Sequence, residues 1–346
     1  MMRSIAGRGT PESPVLIGRD GHAGRIVLNR PRSINALTHE MVGVIQSTLD
    51  DWIDDPDVQT VVLTGRGERG LCAGGDIVSI YRDGLAHGTD AAAFWADEYR
   101  LDATIADYPK PFVAIMDGIV LGGGVGLSAH AGIRVVTERS MVGMPETGIG
   151  FFPDVGGTYL LSRTPGELGT HLALTAGSVR AGDAIGVGLA DWYVPSDRLP
   201  ALITSLATSK PADALAEVAE PAPASQLLAD RAWIDAAYEG DDVGKIHARL
   251  ATSDLAVARD AAAVLASKSP TSVKVTLRAL RAAVDLPALR DALDLEYRLA
   301  LRFHGSHDFL EGVRAQVIDK DRNPRWSPSS IDDVTEEAVA GYFARE

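Results

Sequence analysis

The sequence holds a single cysteine, Cys72, among 346 residues. One thiol excludes an internal disulfide framework and any zinc site built from several cysteines. The eight histidines form no close ligand cluster along the chain, so a metal is not expected. No apolar run approaches the roughly 18 residues that a membrane-spanning helix requires. Basic charge is also scarce: 33 Lys and Arg stand against 47 Asp and Glu, a net charge of −14 with His neutral. A general nucleic-acid binder needs a positive footprint, so that class is disfavoured. A phosphorylated small ligand is not, because local charge can oppose net charge. Residues 1–8 carry charge with no apolar segment behind them, unlike a secretory signal, and they are short for an organelle presequence. These absences lead to the expectation of a soluble, cytoplasmic protein with neither nucleic acid nor membrane as partner.

What is present suits a large folded domain with a helical extension. Hydrophobic residues make up 46% and charged residues 23%, enough for a substantial core. Val15-Leu16-Ile17 and Arg25-Ile26-Val27-Leu28, split by a glycine-containing turn, predict a hairpin. From Thr38 the period changes, and Met41, Ile45, Leu49 and Ile53 predict an amphipathic helix. Val58 to Thr64, Phe112 to Met116 and Arg134 to Val136 predict buried strands, the second with Pro111 at its start. Strand, glycine turn, helix and strand again is the pattern of an α/β domain. Neither a phosphate-binding G-x-x-x-x-G-K-[ST] loop nor an early dinucleotide G-x-G-x-x-G is present, so nucleotide chemistry falls in rank. After about residue 200 the texture is helical. Residues 211–224 predict a Pro/Ala-rich linker, with helices following over Val273 to Val284, Leu286 to Phe303 and Asp332 to Phe343.

Four places carry more glycine and acid than packing asks for. Cys72-Ala73-Gly74-Gly75-Asp76-Ile77 comes directly after the Val58–Thr64 strand, and its backbone can turn N–H groups toward a cavity; a plain strand-to-helix turn capped by Asp76 is the alternative. Gly122-Gly123-Gly124-Val125-Gly126-Leu127 follows the Phe112–Met116 strand and sets bare N–H groups at a helix start, or simply permits close packing. Two such turns could each supply one donor to a single oxygen, an arrangement suited to thioester carbonyl chemistry. Glu146 and Asp154 lie eight residues apart among apolar and glycine residues, where a carboxylate gains proton affinity and becomes a useful base; capping and turn roles are the alternative. Glu98 interrupts the helical stripe of Phe94, Leu101 and Ile105, either snorkelling outward or reaching a cavity. Cys72 reads as a small buried residue, and Ser128 lacks the G-x-S-x-G setting of a hydrolase nucleophile.

Together these segments resemble the crotonase (enoyl-CoA hydratase/isomerase) superfamily and, within it, the 3-hydroxyisobutyryl-CoA hydrolase group. The likeness starts near Val15, includes Asn29-Arg30-Pro31 and Asn35-Ala36-Leu37, and runs to about Trp326. Met144-Pro145-Glu146-Thr147, Phe152-Pro153-Asp154-Val155-Gly156-Gly157, Ser269-Pro270-Thr271-Ser272 and Glu311-Gly312-Val313-Arg314-Ala315 with Ile318-Asp319-Lys320-Asp321 carry the hydrolase part. The resemblance implies an α/β crotonase-like (ClpP/crotonase) spiral of ββα units with a helical C-terminal region: residues 12–200 form the core with the acyl-CoA site, and 201–346 complete the fold and offer an assembly surface for a homo-oligomer. Gly75 and Gly123 would supply the oxyanion-hole N–H groups, Glu146 the catalytic carboxylate and Asp154 the second acid. Glu98 and Gly123 would contact the substrate. No cofactor is implied, since coenzyme A is part of the substrate, and Arg30 and Arg32 are candidates for its phosphates. Hydratases of the superfamily place a first glutamate where this chain has Gly126. The implied reaction is therefore hydrolysis of 3-hydroxyisobutyryl-CoA, a step of valine degradation, in which Glu146 activates water or attacks the carbonyl itself. Short-chain enoyl-CoA hydration or isomerisation, and acyl-CoA binding without catalysis, are the competing expectations.

Overall fold

A computed structural model describes residue 10 and residues 12–344; the expectation about residues 1–8 lies outside them. Close packing gathers the described chain into two compact units. The first holds residues up to Gly75, Arg100–Val142 and Val179–Ser225; the second holds Asp76–Tyr99, Gly143–Ser178 and residues from Gln226 on.

In the first unit, β1 (Val15–Asp20) and β2 (Ala23–Leu28) form the expected antiparallel hairpin. Helix α1 (His39–Ile53) follows. Its Met41, Ile45 and Leu49 are buried, and the Thr38 hydroxyl caps it by accepting from the Met41 N–H at 3.3 Å. β3 (Thr60–Gly65) runs parallel to β2 and is followed by the short β4 (Gly70–Cys72). β5 (Phe112–Met116), β6 (Ile119–Leu121), β7 (Ile133–Val136), β8 (Met141–Gly143), β9 (Ser178–Val179) and β10 (Trp192–Tyr193) complete the strands. The larger sheet has the order β1-β2-β3-β5-β7-β10, parallel beyond the hairpin, and the smaller has the order β4-β6-β8-β9. Val62, Val113, Ile115 and Val135 of the larger sheet are covered by Val194, Leu199, Leu202, Leu206 and Leu215. This near-continuous apolar content is what a parallel strand buried on both faces requires.

The second unit is mainly helical. Helix Pro270–Val284 starts at Ser269, whose hydroxyl accepts from the Ser272 N–H at 3.1 Å. Helix Leu289–Phe303 follows, three residues later than expected, because Asp291 closes back onto the Ala288 N–H at 3.1 Å and defines the first turn there. Phe151 sits in an aromatic group with Trp95, Phe152, Phe303 and Phe309, at centroid distances between 4.7 and 5.6 Å. Each fully buried ring contributes about 1.5–3 kcal/mol.

An alternating ββα core with a largely helical C-terminal region is the architecture of the crotonase fold, as the resemblance implied. One local expectation differs. Pro211 does not open a linker but stands at the first turn of a helix, Pro211–Val218, where its missing N–H has no partner to lose. The irregular break is confined to the residues after it. Among the described residues, no helix is long and apolar enough to cross a membrane.

Candidate active site

The glycine donors lie in the first unit. Both turns were expected after the long strands β3 and β5, but the short parallel pair β4 and β6 intervenes and carries them. Cys72 pairs with Val120 across that ladder. The two chains therefore end side by side, one in Gly74-Gly75 and the other in Gly122-Gly123. A Cβ on Gly74 would stand 3.3 Å from the Leu121 carbonyl and 3.7 Å from the Gly123 nitrogen. Gly74 also has φ +107°, a backbone region that side chains rarely adopt. On the other side, the Leu37 N–H donates to the Gly74 carbonyl at 2.9 Å.

Helix α4 (Gly123–Ala129) is wholly buried, and its Val125 N–H folds back to the Gly122 carbonyl at 2.7 Å. The N–H groups of Gly123 and Gly124 precede the first intrahelical bond, so they are the donors a helix start leaves over. Close approach explains the third glycine: a Cβ on Gly124 would lie 2.5 Å from the Cys72 carbonyl oxygen. Gly126 contributes no side chain to this helix, and the Ser128 hydroxyl donates to the Gly124 carbonyl at 2.6 Å.

Asn35 locks this region. Fully buried at φ +55°, it donates to the carbonyls of Arg66, Gly70 and Leu71 at 3.0–3.2 Å and accepts from the Arg30 N–H at 2.9 Å. The Asn35-Ala36-Leu37 signature thus has a structural task at the root of β4. Cys72 is buried, and its thiol donates to the Asn35 carbonyl at 3.3 Å. Arg30 donates to the Ala36 carbonyl, and the Arg32 side chain is exposed.

The acids lie in the second unit. Glu98, on helix α3 (Asp90–Ala106), is 2% exposed, so it does not snorkel outward. Glu146 opens a 3-10 turn, Glu146–Ile149, held by the Thr147 hydroxyl donating to the Ala173 carbonyl at 2.8 Å. Asp154 sits in the loop beyond it. Glu146 and Asp154 are 7% and 6% exposed. One oxygen of Glu98 and one of Glu146 are buried without a hydrogen-bond partner. Native interiors rarely leave such groups unpaired.

Electrostatics follow from burial. Glu146 is held well above the usual carboxylate range by desolvation, then by the charges of Asp154, Glu98 and Glu296. Glu98 is raised likewise by desolvation and by Asp154. Asp154 is pushed up to about 7 by desolvation, against the hydrogen bond from the Tyr99 hydroxyl at 2.8 Å that stabilises its charge. Burial of several like charges makes a shared proton favourable, so the acids titrate as a group.

Two further members escaped sequence reasoning, Tyr99 and Glu296. Glu296 lies on helix Leu289–Phe303, fully buried, and desolvation pushes it up to about 8. The available signal was the same as for Glu98: an acid inside an apolar helical stripe, between Leu293 and Ala300. Tyr99 carried no such signal, since a buried tyrosine beside a helical stripe is ordinary core.

The late signature residues are structural. The Ser269 hydroxyl donates to Asp308 at 2.5 Å. Arg314 forms paired bonds to Glu311 at 2.8 Å and also reaches Asp319 and Asp321 at 2.7 and 2.8 Å, which holds Glu311 down to about 2. Among the described residues no group of three or more His, Cys, Asp or Glu is arranged to hold a metal ion.

Comparison with known proteins places the chain in a family. The family model for enoyl-CoA hydratase/isomerase matches residues 23–343. A curated relative from Danio rerio, the mitochondrial 3-hydroxyisobutyryl-CoA hydrolase, is 40% identical over 99% of this chain and 91% of its own. The Homo sapiens protein of the same name is 38% identical over 95% of this chain and 88% of its own. Among solved structures, one named carnitinyl-CoA dehydratase from Mycobacterium thermoresistibile is 49% identical with a TM-score of 0.94, covering 97% of each chain. Another, named enoyl-CoA hydratase from Rhodobacter sphaeroides, is 44% identical with a TM-score of 0.91 over 96% of this chain and 97% of its own. The expected cytoplasmic location is overturned: curated relatives at 38–40% identity carry "mitochondrial" in their names. That expectation leaned on the lack of a secretory signal, and the address of a protein is not written in its fold. The chain belongs to the enoyl-CoA hydratase/isomerase family, the crotonase superfamily of enzymes acting on acyl-CoA thioesters.

Proposed function

We propose that the protein hydrolyses the thioester of a short 3-hydroxyacyl-CoA, with 3-hydroxyisobutyryl-CoA as the preferred substrate and valine degradation as its setting. The observation that carries this reading is the unpartnered, buried oxygen of Glu146 beside the charge of Asp154, in a chain with Gly126 where hydratases hold their first glutamate. Addition of water across a double bond needs two proton transfers, one from the water that bonds to the first carbon and one to the second carbon. Hydrolysis needs one activated water and one protonated leaving group, which a single glutamate can serve in turn.

In this reading the Gly75 and Gly123 N–H groups receive the thioester oxygen as it becomes an oxyanion. Glu146 takes a proton from water as the water oxygen bonds to the carbonyl carbon. The tetrahedral adduct then expels the coenzyme A sulfur, breaking the C–S bond, and the thiolate recovers that proton. Alternatively Glu146 itself attacks, the thiolate leaves, and water resolves the resulting anhydride. Asp154 orients the water, and the unpaired oxygen of Glu98 accepts the substrate hydroxyl. Arg32 is the candidate left for the coenzyme A phosphates. Residues 201–346 are proposed as the surface through which copies assemble.

The second reading is hydration or dehydration of an enoyl-CoA. The names of the two similar solved structures favour it, whereas the names of the curated relatives favour hydrolysis. One experiment separates them: 3-hydroxyisobutyryl-CoA and crotonyl-CoA assayed in parallel for free thiol and for enoyl absorbance. Thiol release selective for the hydroxyacyl ester supports hydrolysis. Loss of enoyl absorbance without thiol assigns hydration and overturns it. Binding with neither signal leaves an acyl-CoA-binding protein.

A further inference from the structure

Glu296 is an expensive residue where it stands. Its helix face is otherwise apolar, with Leu293, Leu299, Ala300 and Phe303 buried alongside, and the carboxyl is 0% exposed. An aliphatic residue of similar size would avoid the desolvation of a charge. Both carboxylate oxygens are nevertheless engaged, and their partners Gly156 and Thr158 belong to one short turn. Oε2 accepts from the Gly156 N–H at 2.6 Å; Oε1 accepts from the Thr158 N–H at 3.0 Å and from the Thr158 hydroxyl at 2.5 Å.

That turn is strained. Val155 has φ +52° and Gly156 φ +78°. A β-branched residue in the left-handed region costs about 1–2 kcal/mol and persists only when its surroundings enforce it. Asp154 is the residue immediately before the strain, and its carbonyl accepts from the Gly157 N–H at 2.6 Å. The next residue on the helix, Tyr297, packs edge-on against Tyr99 at 6.4 Å between centroids, and the Tyr99 hydroxyl holds the Asp154 carboxylate. The pair 296–297 therefore supports Asp154 from both ends, backbone and side chain.

The geometry points to Glu296 as a positioning residue that clamps the 155–158 turn and so fixes the Asp154 carboxylate against the acid group it works with. This inference rests on the proposed roles of Glu146 and Asp154. A merely structural clamp would affect stability alone. A clamp that sets the chemistry also affects proton affinity, because the titratable groups that interact with it are Tyr99 from α3, Glu146 from its 3-10 turn and Asp154 from the loop, with Glu98 in turn acting on Glu146 and Tyr99.

The test uses the full-length protein with Glu296→Gln and Glu296→Asp, measured for kcat and KM from pH 5 to 9, for Tm, and for amide exchange. Glu296→Gln removes an acid that, once ionised above about pH 8, raises the proton affinity of Glu146, whose own proton is already held well above the usual carboxylate range. We expect its acid limb to move to lower pH, with kcat about 10- to 100-fold down, KM within about twofold, and faster exchange at Gly156 and Thr158. Glu296→Asp keeps the charge and should hold the acid limb near wild type while recovering part of kcat. Wild-type kcat and an unmoved acid limb in Glu296→Gln overturn the inference, as does a kcat that falls only with the unfolded fraction. If wild type proves to be a hydratase, the same comparison is read on enoyl absorbance. Wild-type protein silent in both assays instead removes the reading of Glu146 and Asp154, and the role of Glu296 with it.

Discussion

The Tyr99 hydroxyl donates to the Asp154 carboxylate at 2.8 Å, with both groups buried in the same unit. This bond opposes the desolvation that pushes Asp154 up to about 7. Tyr99→Phe should therefore raise the proton affinity of Asp154 further. The acid limb of the pH–rate profile is expected to move up by about one pH unit, the equivalent of ~1.4 kcal/mol. A limb that stays in place, with wild-type kcat, removes Asp154 from the titrating group. The direction is opposite to that expected for Glu296→Gln, so the two variants check each other.

Glu146→Gln keeps the size and much of the polarity of the side chain but cannot accept a proton or form an anhydride. Turnover should drop by at least about 10²- to 10⁴-fold while acyl-CoA binding, measured by calorimetry, persists. A single turnover of the wild-type enzyme in ¹⁸O water tests the anhydride route: label found in Glu146 by peptide mass spectrometry assigns nucleophilic attack, whereas label in the product acid alone is common to general-base catalysis and to an anhydride opened at the acyl carbon. Normal turnover in this variant rejects the site.

Gly124 faces the Cys72 carbonyl with no room for a methyl group. Gly124→Ala should push helix α4 away from β4, costing about 1–3 kcal/mol. It should also pull the Gly123 N–H out of line, with kcat about 10²-fold lower and KM less affected. An active variant of ordinary Tm shows that the Gly123 N–H plays no part in oxyanion binding.

Asn35→Ala leaves the carbonyls of Arg66, Gly70 and Leu71 without their shared donor and puts alanine at a positive φ. The expected loss is about 2–4 kcal/mol, read by denaturant unfolding. A loss below about 0.5 kcal/mol contradicts its role as the brace of β4.

The buried acids predict an alkaline weakness. The folded state raises the proton affinities of Asp154 and Glu296, to about 7 and about 8 from ordinary values near 4. Between those limits the folded protein holds more protons than the unfolded chain, so stability falls as pH rises from about 4 to about 8, and Glu98 and Glu146, also held well above the usual carboxylate range, act in the same direction. Tm should fall across that window, and Glu296→Gln should flatten the slope. A Tm that rises from pH 5 to 8 contradicts this account.

Much of the architecture was legible because it depends on local pattern. The run Phe112–Met116 is bounded by Pro111 and coincides with β5 to the residue. Helix α1 follows from the spacing of Met41, Ile45 and Leu49 behind a Thr38 cap. The strands β4 and β6 were not legible, since three residues give too little period to recognise, and so the glycine turns were attached to the wrong strands. Pro211 is ambiguous in sequence, because the same residue that breaks a helix interior begins a helix well.

For the site, the sequence alone determined residue types: glycines where backbone had to turn or approach closely, and acids where apolar residues were due. Whether Glu98 snorkelled or stayed inside, and that Glu296 reaches Gly156 and Thr158 from some 140 positions away, only the tertiary structure decided. Periodicity tells which way a side chain points from its own helix. It carries no information about what lies opposite, and the proton affinity of a buried acid is set by that neighbour rather than by the acid itself.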